Sequence, residues 1–248
     1  MFWLGPFRLP VLILVLLSGG LLKAQTRTVD QQLIWLGARF NFDFDERWRS
    51  SVQFEERRYV FPDAPHQRLL GDLSLYFEPD NRWTIRTGLW LFQLARPQDP
   101  FEDFNGWIKE FRPYLRLEYR FGQRQNHFWY FAYKSEYRSF RTLEAPSPFE
   151  GPLRRVDWRQ RFKVAYNLDL NQKARIIMAE ELHLNTWSSA ERHQWFQQNR
   201  ITTHYQYLFS QKFRVSAGYV LWFQPTGQSA EYFLRHILDL RLDYYISR

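Results

Sequence analysis

The histidines, with the acids and serines near them, are the side chains of this sequence that could support catalysis or bind a metal. On a β-strand, a serine two residues after a histidine would share its face and place a nucleophile beside a base, but none of the 6 histidines has that neighbour. Glu181 and His183 do share a face, and His193 follows in the next loop, so one carboxylate and two imidazoles could hold a divalent metal. A polar strand position followed by a loop histidine is the simpler interpretation. We therefore expect no catalytic residue, no metal and no cofactor.

The composition excludes several other kinds of chemistry. The 248 residues include no cysteine, which excludes disulfide scaffolds, thiol catalysis and cysteine-ligated metals. Hydrophobic residues make up 45% and aromatic residues 19%, which argues against intrinsic disorder. The net charge of +8, with arginines interleaved among aromatics, would suit a nucleic acid, but the same faces carry Asp and Glu. We expect no nucleic-acid partner.

The N-terminal segment 1–24 has the pattern of a signal peptide. Arg8 supplies the positive charge, residues 10–17 form a short apolar run, and Ala24 is a small residue at the cleavage point. An uncleaved signal anchor is the alternative, but the apolar run is shorter than the roughly 20 residues of a spanning helix. We predict a signal peptide at 1–24 and a single domain at 25–248.

Charged residues recur at every second position through most of the remaining chain. In the segment 109–121, Arg112, Arg116 and Arg120 alternate with apolar side chains such as Leu115 and Leu117. A period of two separates the charged and apolar residues onto the two faces of a strand, whereas a helix would scatter them.

The alternation predicts an all-β fold, an antiparallel up-and-down transmembrane β-barrel of about 10–12 strands. Eleven alternating segments are found: 33–44, 48–59, 68–77, 83–94, 109–121, 127–138, 154–168, 174–185, 199–209, 213–224 and 234–246. Short turns alternate with longer loops along the chain, as in outer-membrane barrels. Because such barrels have even strand numbers, either residues 25–32 form a further short strand or one hairpin is miscounted. Glu180 and Glu181 are adjacent, so a bulge near Ala179 is needed to keep both off the lipid face.

Desolvation decides which face meets lipid. An arginine on the lipid face at the bilayer midplane costs about 2–4 kcal/mol, so the charged face must line the lumen. The predicted lumen-lining residues are Arg49, Glu55, Arg57, Asp72, Arg86, Arg112, Arg116, Glu118, Arg120, Lys134, Glu136, Arg159, Arg161, Arg200, Arg214, Asp239, Arg241 and Asp243. They form either an ion-pair network that fills the lumen or a path that favours anions, because arginines outnumber acids. The aromatics beside the short turns, Trp48, Trp83, Phe121, Phe128, Phe209 and Phe213, predict an interfacial girdle.

Short sequence features resemble a bacterial outer-membrane family, domain of unknown function 2490. They are Trp35 in the first strand, Glu55-Glu56-Arg57-Arg58, Asn199-Arg200 and Gly218-Tyr219. The family is found mostly in Bacteroidetes and related Gram-negative bacteria. The resemblance implies an outer-membrane barrel and no established activity.

These observations favour a non-enzymatic outer-membrane protein, either a structural barrel or a narrow porin-like channel with an arginine-rich lumen. The expected partners are the outer-membrane bilayer, the outer-membrane assembly machinery and small anions, and a monomer is expected. The alternatives are a barrel hydrolase that modifies envelope lipids and a secreted, lipocalin-like binding barrel.

Overall fold

A computed structural model describes residues 27–60, 66–95, 107–141, 153–190, 194–226 and 231–247. Eleven β-strands lie in these ranges: β1 (Arg27–Asp43), β2 (Trp48–Tyr59), β3 (His66–Phe77), β4 (Trp83–Ala95), β5 (Trp107–Phe121), β6 (His127–Arg141), β7 (Leu153–Asp169), β8 (Ala174–Ser188), β9 (Phe196–Leu208), β10 (Phe213–Pro225) and β11 (Glu231–Ser247). The predicted signal peptide and a part of each predicted long loop lie outside the described residues. No helix in the described ranges is long and apolar enough to cross a membrane.

The strands close into a barrel in which each strand pairs with its neighbours in sequence and β1 pairs with β11. The predicted up-and-down barrel of about 10–12 strands is therefore confirmed. The closure is parallel, running from Arg27↔Glu231 to Asp43↔Ser247, because an odd number of up-and-down strands makes the first and last run in the same direction. Residues 27–32 extend β1 instead of forming another strand, so both explanations offered for the odd count are wrong. Parallel pairing leaves no open edge.

In short turns, a side-chain oxygen accepts hydrogen bonds from the backbone N–H groups at the point where the next strand begins. Asp80 Oδ1 accepts from the backbone N–H of Arg82 at 2.7 Å and of Trp83 at 2.8 Å, the first residue of β4. Asn171 Oδ1 accepts from two backbone N–H groups in the same way before β8. These hydrogen bonds hold the pKa of the Asp80 carboxyl below its ordinary value, because they stabilise the carboxylate. Gly122 supplies the one left-handed glycine of the described turns, with φ at 62°.

Alternation along each strand gives the barrel a charged interior and an apolar exterior. Leu73 is 58% exposed and Phe54 57%, whereas their neighbours Asp72 and Glu55 are 2% and 4% exposed. Trp48, Trp83, Phe121, Phe209 and Phe213 are exposed beside the short turns, as predicted for the girdle.

Phe128 was wrongly placed in the girdle, because it occupies an inward position of β6. The guanidinium of Arg120 lies 5.8 Å from its ring and that of Arg175 lies 5.3 Å away. The next residue, Trp129, occupies the outward position instead and packs 4.8 Å from Tyr166. The prediction failed because both residues are aromatic, and only the register distinguishes their faces.

The bulge expected near Ala179 is absent from β8, which pairs without a shift in register through residues 179–181. Glu181 therefore points inward and Glu180 points outward. Asn199 Nδ2 on the neighbouring strand donates a 2.8 Å hydrogen bond to Glu180 Oε1, and Glu180 is only 6% exposed. A partner on the same face thus accommodates the carboxylate without a change of register.

Candidate functional site: the charged barrel interior

The barrel brings the predicted lumen residues to inward-facing positions. All eighteen have the inward parity of their strands, namely Arg49, Glu55, Arg57, Asp72, Arg86, Arg112, Arg116, Glu118, Arg120, Lys134, Glu136, Arg159, Arg161, Arg200, Arg214, Asp239, Arg241 and Asp243. They divide into clusters at different positions around and along the lumen, and Arg49, Arg120 and Arg214 lie near the short turns.

Glu136 is the centre of the most highly charged cluster. Its carboxylate is 0% exposed and lies 2.8 Å from Lys134 Nζ, 2.9 Å from Arg161 Nη1 and 2.6 Å from Arg159 Nε. Arg112 Nη1 lies 3.9 Å away on the opposite side. One buried carboxylate is thus shared by cations from three strands, which lowers the cost of burying these positive charges.

A chain of ion pairs extends this cluster toward the long loops. Glu110 accepts hydrogen bonds from Arg112 at 2.7 Å and from Arg138 at 2.6 Å. Arg138 also lies 3.8 Å from Asp157, whose other contacts include the Ser188 hydroxyl at 2.6 Å. Glu110, Arg138 and Asp157 were absent from the predicted set. Their parity on β5, β6 and β7 matches that of the predicted residues and could have identified them.

A second network crosses the parallel closure of the barrel. Glu55 accepts from Arg57 Nε at 2.6 Å and lies 3.8 Å from Arg241, which is itself bonded to Asp239 at 2.6 Å. Arg39 lies 3.8 Å from Asp243 on β11. The parallel pairing of β1 with β11 is therefore accompanied by lumenal ion pairs.

A third network joins β3, β4 and β5. Arg86 is bonded to Asp72, and the Tyr114 hydroxyl donates to Asp72 at 3.1 Å and lies 2.8 Å from the Ser74 hydroxyl. Gly88 makes this arrangement possible, because a Cβ there would lie 2.6 Å from the Tyr114 hydroxyl oxygen.

The long-loop half of the lumen contains a layer of buried side chains. Each of the eleven strands contributes one residue to it that is at most 7% exposed, and we call this set the closing layer. Its members are Gln31, Tyr59, Leu70, Leu94, Glu110, Arg138, Asp157, Asn185, Gln198, Trp222 and Arg235. Arg235 links three strands of this layer, since its Nε donates to Gln31 at 2.7 Å and its Nη1 to Gln224 at 2.8 Å.

Below this layer the lumen holds a cavity of about 170 Å³. Its lining includes eleven cationic side chains, Arg39, Arg57, Arg86, Arg112, Arg116, Lys134, Arg159, Arg161, Lys163, Arg200 and Arg241, but only three acids, Glu55, Glu181 and Asp239. Two side chains of this lining are more accessible than the closing layer, since Arg241 is 30% and Arg39 25% exposed. The cavity therefore adjoins the accessible, short-turn half of the lumen.

The carboxylate–imidazole pair considered for metal binding is present inside the barrel, and His183 Nε2 lies 3.0 Å from Glu181. His193 lies outside the described residues. Within the described residues no group of three or more potential ligands is close enough to hold a metal ion. His183 is 0% exposed and also contacts the Gln198 amide, so the imidazole packs as part of the lumenal network.

A family model described as "Protein of unknown function (DUF2490)" matches residues 32–232. The chain belongs to this family. No curated protein matches.

Among solved structures, the DUF2490 chain is similar to a NanC porin at 13% identity and a TM-score of 0.46, covering 78% of this chain and 85% of that one. It is also similar to OmpT, an outer membrane protein of Vibrio cholerae, at 11% identity and a TM-score of 0.39. That match covers 73% of this chain and about half, 52%, of OmpT.

Proposed function

We propose that this protein is a non-enzymatic barrel of a Gram-negative outer membrane whose lumen is closed to through-passage and whose remaining cavity favours anions. The membrane assignment is supported by the distribution of side chains. Leu73, Leu115 and Tyr219 are 58%, 47% and 47% exposed on the outer face, whereas a soluble, lipocalin-like barrel would bury such residues inside. The girdle beside the short turns matches the position of the membrane interface.

The closing layer is the observation that carries the proposal of a closed lumen. Every strand contributes a side chain that is at most 7% exposed. Ion pairs and hydrogen bonds connect Arg138 with Glu110 and Asp157, and Arg235 with Gln31. A barrel of this size encloses little more than its side chains. Opening a path for ions would require several buried charges to lose their partners together, which is costly.

Three of the described histidines support a non-enzymatic barrel through the partners they contact. His183 contacts Glu181, His204 lies 3.7 Å from Asp239, and His236 Nδ1 lies 2.5 Å from the Tyr219 hydroxyl. These pairs lack the arrangement of nucleophile, base and orienting group that acyl transfer requires.

Recordings from planar lipid bilayers under a salt gradient test the proposal, with heat-modifiable gel migration as the control for folding. We expect the folded barrel to give no steady conductance. Anion-selective current would make the protein a narrow channel instead, and cation-selective current would refute the assignment of a positive interior. Hydrolysis of phospholipid or lipopolysaccharide by the folded barrel would refute its non-enzymatic character.

A further inference from the structure

Two of the eleven cations around the central cavity have no carboxylate partner. The other nine form ion pairs with eight carboxylates, which are Glu55, Asp72, Glu110, Glu118, Glu136, Glu181, Asp239 and Asp243. Arg200 and Lys163 form no salt bridge with any residue that the structure describes. The cavity wall therefore carries an excess of positive charge at two identified side chains.

The strand register explains why these two cations remain unpaired. Glu181 lies between them, opposite Lys163 on β7 and opposite Arg200 on β9. Its oxygens are occupied by Arg161 Nη2, at 2.7 and 2.8 Å, and by His183 Nε2 at 3.0 Å. The nearest carboxylate in the register is thus engaged by two other donors.

Stacking holds the Arg200 guanidinium in place without satisfying its hydrogen bonds. It lies 4.4 Å from the Trp222 ring and 5.5 Å from the Trp35 ring, and these two rings pack edge to face at 6.0 Å. Its Nε is buried and has no hydrogen-bond acceptor. A positioned guanidinium whose buried Nε lacks an acceptor is costly unless an anion satisfies it.

We propose that the central cavity is a binding site for a compact, doubly charged oxyanion of the phosphate type. Arg200 and Lys163 would supply the two positive charges, and the Thr202 hydroxyl, which also lines the cavity, would supply a further donor. The volume of about 170 Å³ equals that of about six liquid water molecules, which leaves room for such an anion. The inference deepens the proposed function, since it depends on the positive interior of the folded barrel.

Isothermal titration calorimetry with inorganic phosphate tests the site on the folded, full-length barrel in detergent, at constant ionic strength set with chloride. We expect saturable binding of one phosphate per barrel. Arg200→Gln should weaken it by about tenfold or more, because charge-assisted hydrogen bonds are lost. Lys163→Gln should weaken it to a smaller extent. Arg120→Gln is the matched control, since Arg120 faces the lumen near the short turns, outside the cavity lining, and it should change the affinity by less than about twofold.

Several outcomes would overturn the site. These are the absence of phosphate binding to the unmodified barrel, an unchanged affinity in Arg200→Gln, and competition by chloride that equals phosphate in strength. If Arg200→Gln does not fold, Lys163→Gln and Thr202→Val serve the same purpose, and unchanged affinity in both would overturn it. Calorimetry does not depend on conductance. A conducting barrel that binds phosphate therefore refutes only the closed lumen, and a non-conducting barrel that does not bind it refutes only the site.

Discussion

Removing the charge of Glu136 should destabilise the barrel more than removing any exposed acid. The carboxylate is 0% exposed and forms ion pairs with Lys134, Arg159 and Arg161 at distances of up to 2.9 Å. Glu136→Gln keeps the size of the side chain but leaves Lys134 and Arg159 without a counter-charge and removes one of the two carboxylate partners of Arg161. Breaking a buried ion pair in this way costs about 3–5 kcal/mol.

The matched control is Glu78→Gln, which removes an acid whose contact with Arg49 spans 3.2 Å at side chains that are 30% and 32% exposed. Exposed ion pairs contribute about 0–1 kcal/mol. Urea unfolding in lipid vesicles, followed by tryptophan fluorescence, gives both free energies of unfolding. Equal losses in the two variants, or a loss below about 1 kcal/mol for Glu136→Gln, would refute the view that the interior is a buried ion-pair network.

Three further predictions concern other parts of the barrel. Gly88→Ala should lower the free energy of unfolding in urea by about 1–3 kcal/mol, because the added methyl group would displace the Tyr114 ring. An unchanged free energy would contradict the observed packing. Leu73→Arg should lower the free energy of unfolding in lipid vesicles by about 2–4 kcal/mol if the face of Leu73 meets lipid. Leu73→Gln is the uncharged control, and equal losses in the two variants would mean that the outer face is solvated. Because the folded-state pKa of Asp80 is lowered, its contribution to stability is present above its unfolded pKa and is lost as the pH falls through the folded value. Unfolding midpoints measured between about pH 5 and 3 should therefore fall more steeply for the natural protein than for Asp80→Asn, and parallel curves would refute this role of the turn.

The strand starts that follow the short turns could be predicted to the residue, because turn chemistry marks them. Asp80 and Asn171 cap the turns before β4 and β8, and both strands begin where the sequence indicated. The start of β1 could not be predicted, since residues 27–32 are mostly polar and lack a clear alternation. Their strand conformation comes from pairing with β11, which is more than 200 residues away in the sequence.

The inward positions of the charged residues could be predicted from the alternation along each strand alone. Their ion-pair partners could not. Glu181 has cations on both sides in the register, and the structure shows that it contacts Arg161, on a diagonal, leaving Arg200 unpaired. Side-chain rotamers decide such a choice, and sequence spacing does not encode it. The inward orientation of Trp35 and Trp222 was missed for a different reason. Aromatic residues were expected to face lipid, although the parity of Arg39 on β1 and of Arg214 on β10 places both rings inside.

Side-specific labelling of single cysteines tests most directly whether the closing layer separates the cavity from the long-loop side. The chain contains no cysteine, so each introduced thiol is unique. Thr202→Cys reports on the cavity, Gln211→Cys on an exposed short turn, and Val60→Cys on the exposed long-loop end of β2. A membrane-impermeant maleimide is applied to sealed membranes from one side at a time. The closed lumen predicts that Thr202→Cys reacts only from the side that labels Gln211→Cys. Labelling of Thr202→Cys from the side that labels Val60→Cys would contradict it.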